Sequence, residues 1–265
     1  MTFNKYINKI FYIIFILLCA PNFYAFGNFT HEQLTEIACH RVKMLEQFTK
    51  EQQKIVLSHL LLSCNIPDAQ ETDWFMWGHF YNFNTECSSL IKDSALSRMN
   101  LHFQKAKSLW YNSDRFSSID ELGKSIHYMQ DICCIAHLWG RMFNVFNLDK
   151  HRKYENAMDV VASSYSYIIL QSSTQFNFRD NANMPIVGVA NLYALQVISR
   201  YQNNLPNPSF WDFFDVTIGI RKRMIGVDKL REKAKKIVPF EDFELAYQAT
   251  CELIYLFFQE VGISL

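Results

Sequence analysis

Within one 29-residue stretch, His127, Asp131, His137, His151 and Glu155 follow the spacing His-x3-Asp-x5-His-x13-His-x3-Glu. The steps from His127 to Asp131 and from His151 to Glu155 are i,i+4 intervals, which on a helix place both side chains on one face, a few ångström apart. Imidazole nitrogen and carboxylate oxygen are both zinc ligands, at about 2 Å from the metal. A single His-x3-Asp is common and means little. Two such pairs with a histidine between them require two helices to converge on one point, and few arrangements other than a metal site reward that. Of the eight histidines, His40, His59 and His102 sit in ordinary helix-like stretches and are read as structural.

The rest of the chain is compatible with helices throughout. Only eight glycines and six prolines interrupt 265 residues, and no Gly-, Pro- or Ser-rich linker divides them, so a single all-α, multi-helix domain is expected. Amphipathic helices are predicted over Thr30–Phe48 and Glu51–Leu62, and another over Ser94–Trp110. A fourth starts at Ser118, where Ser118 and Glu121 have capping-box spacing. Further helices are predicted from His151 to about Leu170 and over 187–202, 227–237 and 241–260. The formal net charge is zero, which gives no support for a nucleic-acid partner.

Lys5 and Lys9 precede an apolar run from Ile10 to Ala20, followed by small and turn-forming residues up to Ala25. A basic segment, a short apolar core and a small residue make a secretory signal over residues 1–25, with the domain proper over 26–265. Cleavage removes two lysines and no acid, leaving the remainder two charges negative. The protein is therefore expected to be secreted or periplasmic. Of the six cysteines that remain, some are expected to pair in an oxidising compartment, with Cys64–Cys87 the suggested pair because both flank the loop-like segment between them.

Four segments carry a resemblance. Leu122-Gly123-x-Ser125-x-His127-Tyr128-x-x-Asp131 and His151-x-Lys153-Tyr154-Glu155-Asn156 are the strongest. Gly78-His79-Phe80-Tyr81-Asn82 follows, with Ile66-Pro67-Asp68 eleven residues before His79, and Ala25-Phe26 with His31 opens the domain. In residues and spacing these resemble the zinc-dependent phospholipase C family, which includes bacterial phosphatidylcholine-preferring enzymes and the catalytic domain of clostridial alpha toxins. The resemblance implies an all-helical domain with three zinc ions in a cleft. It implies that Asp68, His79, His127 and Asp131 hold the first ion, and that His137, His151 and Glu155 hold the second. The third would take His31, the bridging carboxylate of Asp131, and the α-amino and carbonyl groups of Phe26 as the mature first residue.

The implied activity is hydrolysis of phospholipid to diacylglycerol and a phosphorylated headgroup, with Asp68 as the general base. The implied partner is phospholipid at a membrane surface, without nucleic acid, and the protein is expected to act as a monomer. Ala69 and Met76 stand where choline-preferring members carry an aromatic headgroup pocket, and Ile135 stands where a proline is usual. Trp74, Phe75, Trp77, Phe80 and Tyr81 form an aromatic run that either lines an entrance or fills the core. Two alternatives remain. One is the related fungal-type zinc nuclease, although the fourteen positions from His137 to His151 and the final Glu155 fit the phospholipases better. The other is a non-catalytic, zinc-stabilised lipid-binding protein. The run Arg221 to Lys236, with eight basic and two acidic residues, could serve such a protein on anionic lipid or form a solvated helix face.

Overall fold

A computed structural model of the chain describes residues 28–70, 77–79, 81, 93–134, 137, 158–159, 161–163, 184–204 and 225–265. The main helices are α1 (Asn28–Arg41), α2 (Lys50–Ser63), α3 (Ile66–Gln70), α4 (Ala95–Tyr111), α5 (Arg115–Ile132), α6 (Ile186–Asn204) and α7 (Ile225–Glu260). Two 3-10 turns, Met44–Gln47 and Trp77–His79, complete the named elements, and no strand occurs among the described residues. The all-α expectation holds. No described helix is long and apolar enough to cross a membrane.

Local chemistry sets most boundaries. The helix predicted over Thr30–Phe48 stops at Arg41, because Lys43 adopts a left-handed conformation (φ 57°) and the chain continues as a 3-10 turn that buries Met44 and Leu45. Thr49 and Gln52 cap α2 reciprocally, side chain to backbone in both directions. Ser94 and Ser97 do the same for α4.

The predicted start at Ser118 needs correction. Helix α5 begins at Arg115, and Asp114 caps it by accepting from the Ser117 N–H. Ser118 is instead buried and donates to the Ala106 carbonyl at 2.7 Å. The two helices predicted over 227–237 and 241–260 are one, continuous through Pro239. An interior proline costs about 3 kcal/mol. Each fully buried large apolar side chain returns about 1.5–3 kcal/mol, and the C-terminal half of α7 buries Phe243, Leu253, Ile254, Phe257 and Phe258. That helix ends in a Schellman turn: Gly262 takes φ 80°, and the Ile263 N–H reaches the Phe258 carbonyl at 2.8 Å.

The architecture is a bundle built on the hairpin of α4 and α5, whose three-residue connection Asn112–Asp114 forces an antiparallel pair. Helix α2 packs on the other side of α5 at its glycine: a Cβ on Gly123 would lie 1.9 Å from Ser63 Oγ. The end of α7 closes the core through edge-to-face aromatic contacts, with Trp110 5.6 Å from Phe257 and 5.5 Å from Phe258.

Five of the six cysteines expected to remain after cleavage lie among the described residues. Cys39, Cys64, Cys133, Cys134 and Cys251 are all buried. Cys64 Sγ is directed at the Leu61 carbonyl at 3.2 Å, and its suggested partner Cys87 lies outside the described residues. Burial pushes the thiols of Cys39, Cys64 and Cys251 well up, which suppresses the reactive thiolate.

Candidate metal centre

Five short pieces of chain bring the candidate ligands together. The last two turns of α5 supply His127 and Asp131 on one face, and the first turn of α1 supplies His31. Helix α3 contributes Asp68, and the 3-10 turn contributes His79. His137 follows α5, and its ring packs edge-on to that of His79, with centroids 6.4 Å apart. All six residues are buried, His31, His127 and Asp131 completely.

Hydrogen bonds to fixed carbonyls orient two of the rings. His127 Nδ1 bonds the carbonyl of Cys64 at 2.7 Å, at the C-terminal end of α2. A carbonyl only accepts, so Nδ1 carries the proton and Nε2 is the nitrogen turned to the cluster. His137 Nδ1 likewise donates to the His79 carbonyl at 2.6 Å, while the Tyr81 N–H donates to the His137 carbonyl at 3.0 Å. His79 and Tyr81 are thereby both tied to His137, just beyond α5.

The donor atoms converge in two overlapping groups, Asp68–His79–His127 and His31–His127–Asp131. In and around the first, His79 Nδ1 lies 2.8 Å from Asp131 Oδ2 and 3.7 Å from Asp68 Oδ1. His127 Nε2 lies 3.2 Å from His79 Nδ1, 3.4 Å from Asp131 Oδ2 and 3.6 Å from Asp68 Oδ1. Four ligands at about 2 Å around a tetrahedral zinc stand about 3.3 Å apart. The five separations bracket that value, so the donor set fits the ion. The other oxygen, Asp131 Oδ1, faces His31 Nε2 at 3.9 Å and has no hydrogen-bond partner among the described residues. One carboxylate thus presents an oxygen to each group.

The electrostatics suit a cation. Burial alone would raise the Asp131 carboxyl, but the charge and hydrogen bonding of His127 and His79 outweigh it and hold the group well below the usual carboxylate range. His31 is pushed well below the usual imidazole range, first by burial and then by His127, whose ring stacks on it at 4.1 Å. An ionised Asp131 carboxylate and a neutral His31 imidazole are the states in which such groups bind metal.

Of the nine residues expected to bind metal, His31, Asp68, His79, His127 and Asp131 are brought together, and His137 is joined to them through the His79 carbonyl. Phe26, His151 and Glu155 lie outside the described residues, as do Cys87 and the aromatic run apart from Tyr81 and the backbone of Trp77. Asp159, four residues beyond Glu155, accepts from both the N–H and the hydroxyl of Thr30, at 3.2 and 2.6 Å, next to His31. The three histidines read as structural stay out of the cluster: His102 bonds Glu121, His59 bonds Asp120, and His40 is exposed. Two supports were missed. Tyr128, adjacent to His127, is fully buried against the rings of His79 and His102 and accepts from Arg98 Nη1 at 3.0 Å. Gln130, adjacent to Asp131, bonds His31. Their positions beside ligands were the only signal for either.

Comparison with known proteins agrees with this geometry. A family model described as zinc dependent phospholipase C matches residues 30–207, more than half of the chain. No curated protein matches. Among solved structures, alpha toxin from Clostridium absonum is similar with a TM-score of 0.61 and 16% identity, over 88% of this chain and 64% of the toxin. Clostridium perfringens alpha-toxin from avian strain SWCP gives 0.59 and 16%, over 91% and 64%. The likeness is one of fold, and the chain spans a little under two thirds of the toxins' length.

Proposed function

Since the chain belongs to the zinc-dependent phospholipase C family, we propose that it hydrolyses phospholipids at the glycerol–phosphate ester, releasing diacylglycerol and a phosphorylated headgroup. The observation that carries this reading is the near-tetrahedral spacing of the Asp68, His79, His127 and Asp131 donor atoms. These four would hold one zinc. Asp131 would share its second oxygen with an ion held by His31 and the amino and carbonyl groups of Phe26. His137, His151 and Glu155 would hold a third.

Zinc bound there would neutralise the phosphodiester, bring the pKa of a bound water towards about 7 and stabilise the leaving oxygen. The chain's own part is placement and proton transfer. Asp68 Oδ1 lies at 3.6–3.7 Å from two imidazole nitrogens, at the edge of the donor set, where a carboxylate can take the proton of the attacking water. His127 and His137 are held in one tautomer by backbone carbonyls, so neither needs to reorganise as substrate binds. The reading also takes residues 1–25 as a signal removed on export. Cleavage before Phe26 then creates the amino group that completes one site, and the secreted 26–265 product acts as a monomer on lipid surfaces.

The test is hydrolysis by protein starting at Phe26, with zinc, on phosphatidylcholine, phosphatidylethanolamine and phosphatidylglycerol vesicles and on single-stranded DNA. Phosphorylated headgroup should appear, and Asp68→Asn should lower the rate by about 10²–10⁴-fold. Nucleotide release without lipid turnover would move the chain to the nuclease reading. Bound zinc with neither activity would leave a lipid-binding protein.

A further inference from the structure

We infer that Gln130 is a positioning residue that fixes His31 in its Nδ1–H tautomer, leaving Nε2 as the unprotonated nitrogen facing Asp131. His127 and His137 have their tautomers set by backbone carbonyls, which no substitution removes. His31 differs: its Nδ1 lies 2.5 Å from a side-chain atom, Gln130 Oε1. An amide can be turned end for end, so the assignment depends on what holds the other end of Gln130.

Two threonines hold it. Thr35 Oγ1 lies 2.7 Å from the His31 carbonyl, and Thr250 Oγ1 lies 2.7 Å from the Ala246 carbonyl. Carbonyls cannot donate, so each hydroxyl spends its single proton there and offers only lone pairs elsewhere. Both hydroxyls also face the amide nitrogen of Gln130, at 3.2 Å for Thr35 and 3.1 Å for Thr250. That end must therefore be the NH2, which donates once to each threonine. The oxygen is left facing His31 and can only accept, so His31 Nδ1 carries the proton. Thr35, Gln130 and Thr250 are all fully buried, where a reversed amide would set acceptor against acceptor.

The relay has a structural consequence. It joins α1 (His31, Thr35), α5 (Gln130) and α7 (Thr250), so the C-terminal helix helps set the protonation pattern at the metal centre through a contact 120 residues distant in sequence. The tautomer follows from hydrogen bonding alone, whereas its service to a zinc held by His31 rests on the function proposed above.

The experiment is a long-range 1H–15N correlation spectrum of the imidazole nitrogens in protein freed of metal with a chelator. The expected result is a protonated Nδ1 and an unprotonated Nε2 for His31. An Nε2–H tautomer in the wild-type protein overturns the inference. Gln130→Met removes the acceptor and should give mixed tautomers, with zinc binding at the His31 site weakened by about 10–100-fold in chelator competition. Wild-type tautomer and wild-type zinc affinity in a folded Gln130→Met would also overturn it. Since the spectrum needs neither metal nor substrate, loss of the lipase reading in favour of a nuclease would leave it unchanged.

Discussion

Gly123 and Ser125 stand in the same short run as His127 and Asp131, yet neither reaches the donor cluster. Gly123 is where α5 meets α2, and an added Cβ would fall 1.9 Å from Ser63 Oγ and 3.0 Å from the Leu60 carbonyl. Ser125 donates to the Met99 carbonyl at 2.8 Å and pins α5 to α4. The run therefore mixes candidate ligands with residues that let two other helices approach. At an open helical position, Gly→Ala would stabilise by about 1 kcal/mol. Overpacking a tight contact costs about 1–3 kcal/mol, and here the backbone carbonyl cannot move aside as a flexible side-chain end could. Gly123→Ala should lower stability by about 1–2 kcal/mol, read from the urea midpoint at unchanged m. A midpoint at or above wild type would mean that α2 and α5 separate easily. The candidate ligands His127 and Asp131 were legible at this scale because i,i+4 spacing is a local property. The packing role of Gly123 was not, because its partner lies sixty residues away.

Between elements, α4 and α5 are tied by an ion cluster that spacing alone misassigned. Glu121 has the offset of a capping-box partner for Ser118, but it sits in the second turn of a helix already capped by Asp114. It accepts instead from His102 at 2.6 Å and Lys105 at 2.8 Å, with Lys124 at 3.4 Å. Burial by itself would raise its carboxyl, and these partners outweigh burial and bring it down to about 2. A carboxyl lowered in the folded state stabilises above its unfolded pKa, and that contribution is lost as pH falls through the folded value. Stability should thus decline from about pH 4.5 towards about pH 2, with about 2–3 kcal/mol attributable to Glu121. Glu121→Gln should lose that amount at pH 7 and show a flatter acid limb in denaturation followed by circular dichroism. Equal acid limbs in both proteins would remove Glu121 from the account.

For the whole molecule, the donor cluster with a metal bound would cross-link segments that are otherwise joined by packing and hydrogen bonds. Residues 31, 68, 79, 127 and 131 belong to α1, α3, the 3-10 turn and α5. Chelation should therefore soften the fold as a whole. Zinc at a hundred times its dissociation constant would add about 2.7 kcal/mol per site. That corresponds to a melting temperature higher by on the order of 5–10 °C for a chain of this size. Differential scanning calorimetry with chelator, then with zinc restored, measures it. An unchanged melting temperature would mean that the cluster is complete without a metal. The five described cysteines belong to this scale as well. Sequence shows only the number and spacing of the cysteines, whereas packing shows that these five are buried.

The sequence by itself determined that this chain is helical and pointed to candidate metal ligands, because helical periodicity and i,i+4 pairing reside in neighbouring residues. It also carried the family, through residue types at fixed spacing. Tertiary structure alone decided how those side chains are used. It split the two oxygens of Asp131 between two groups, turned the His127 ring by the carbonyl of Cys64, and set Gln130 between two threonines. It also carried α7 through Pro239. Each of these outcomes depends on a partner tens of residues away, or on core burial outweighing a local preference, and neither is encoded in any short window of sequence.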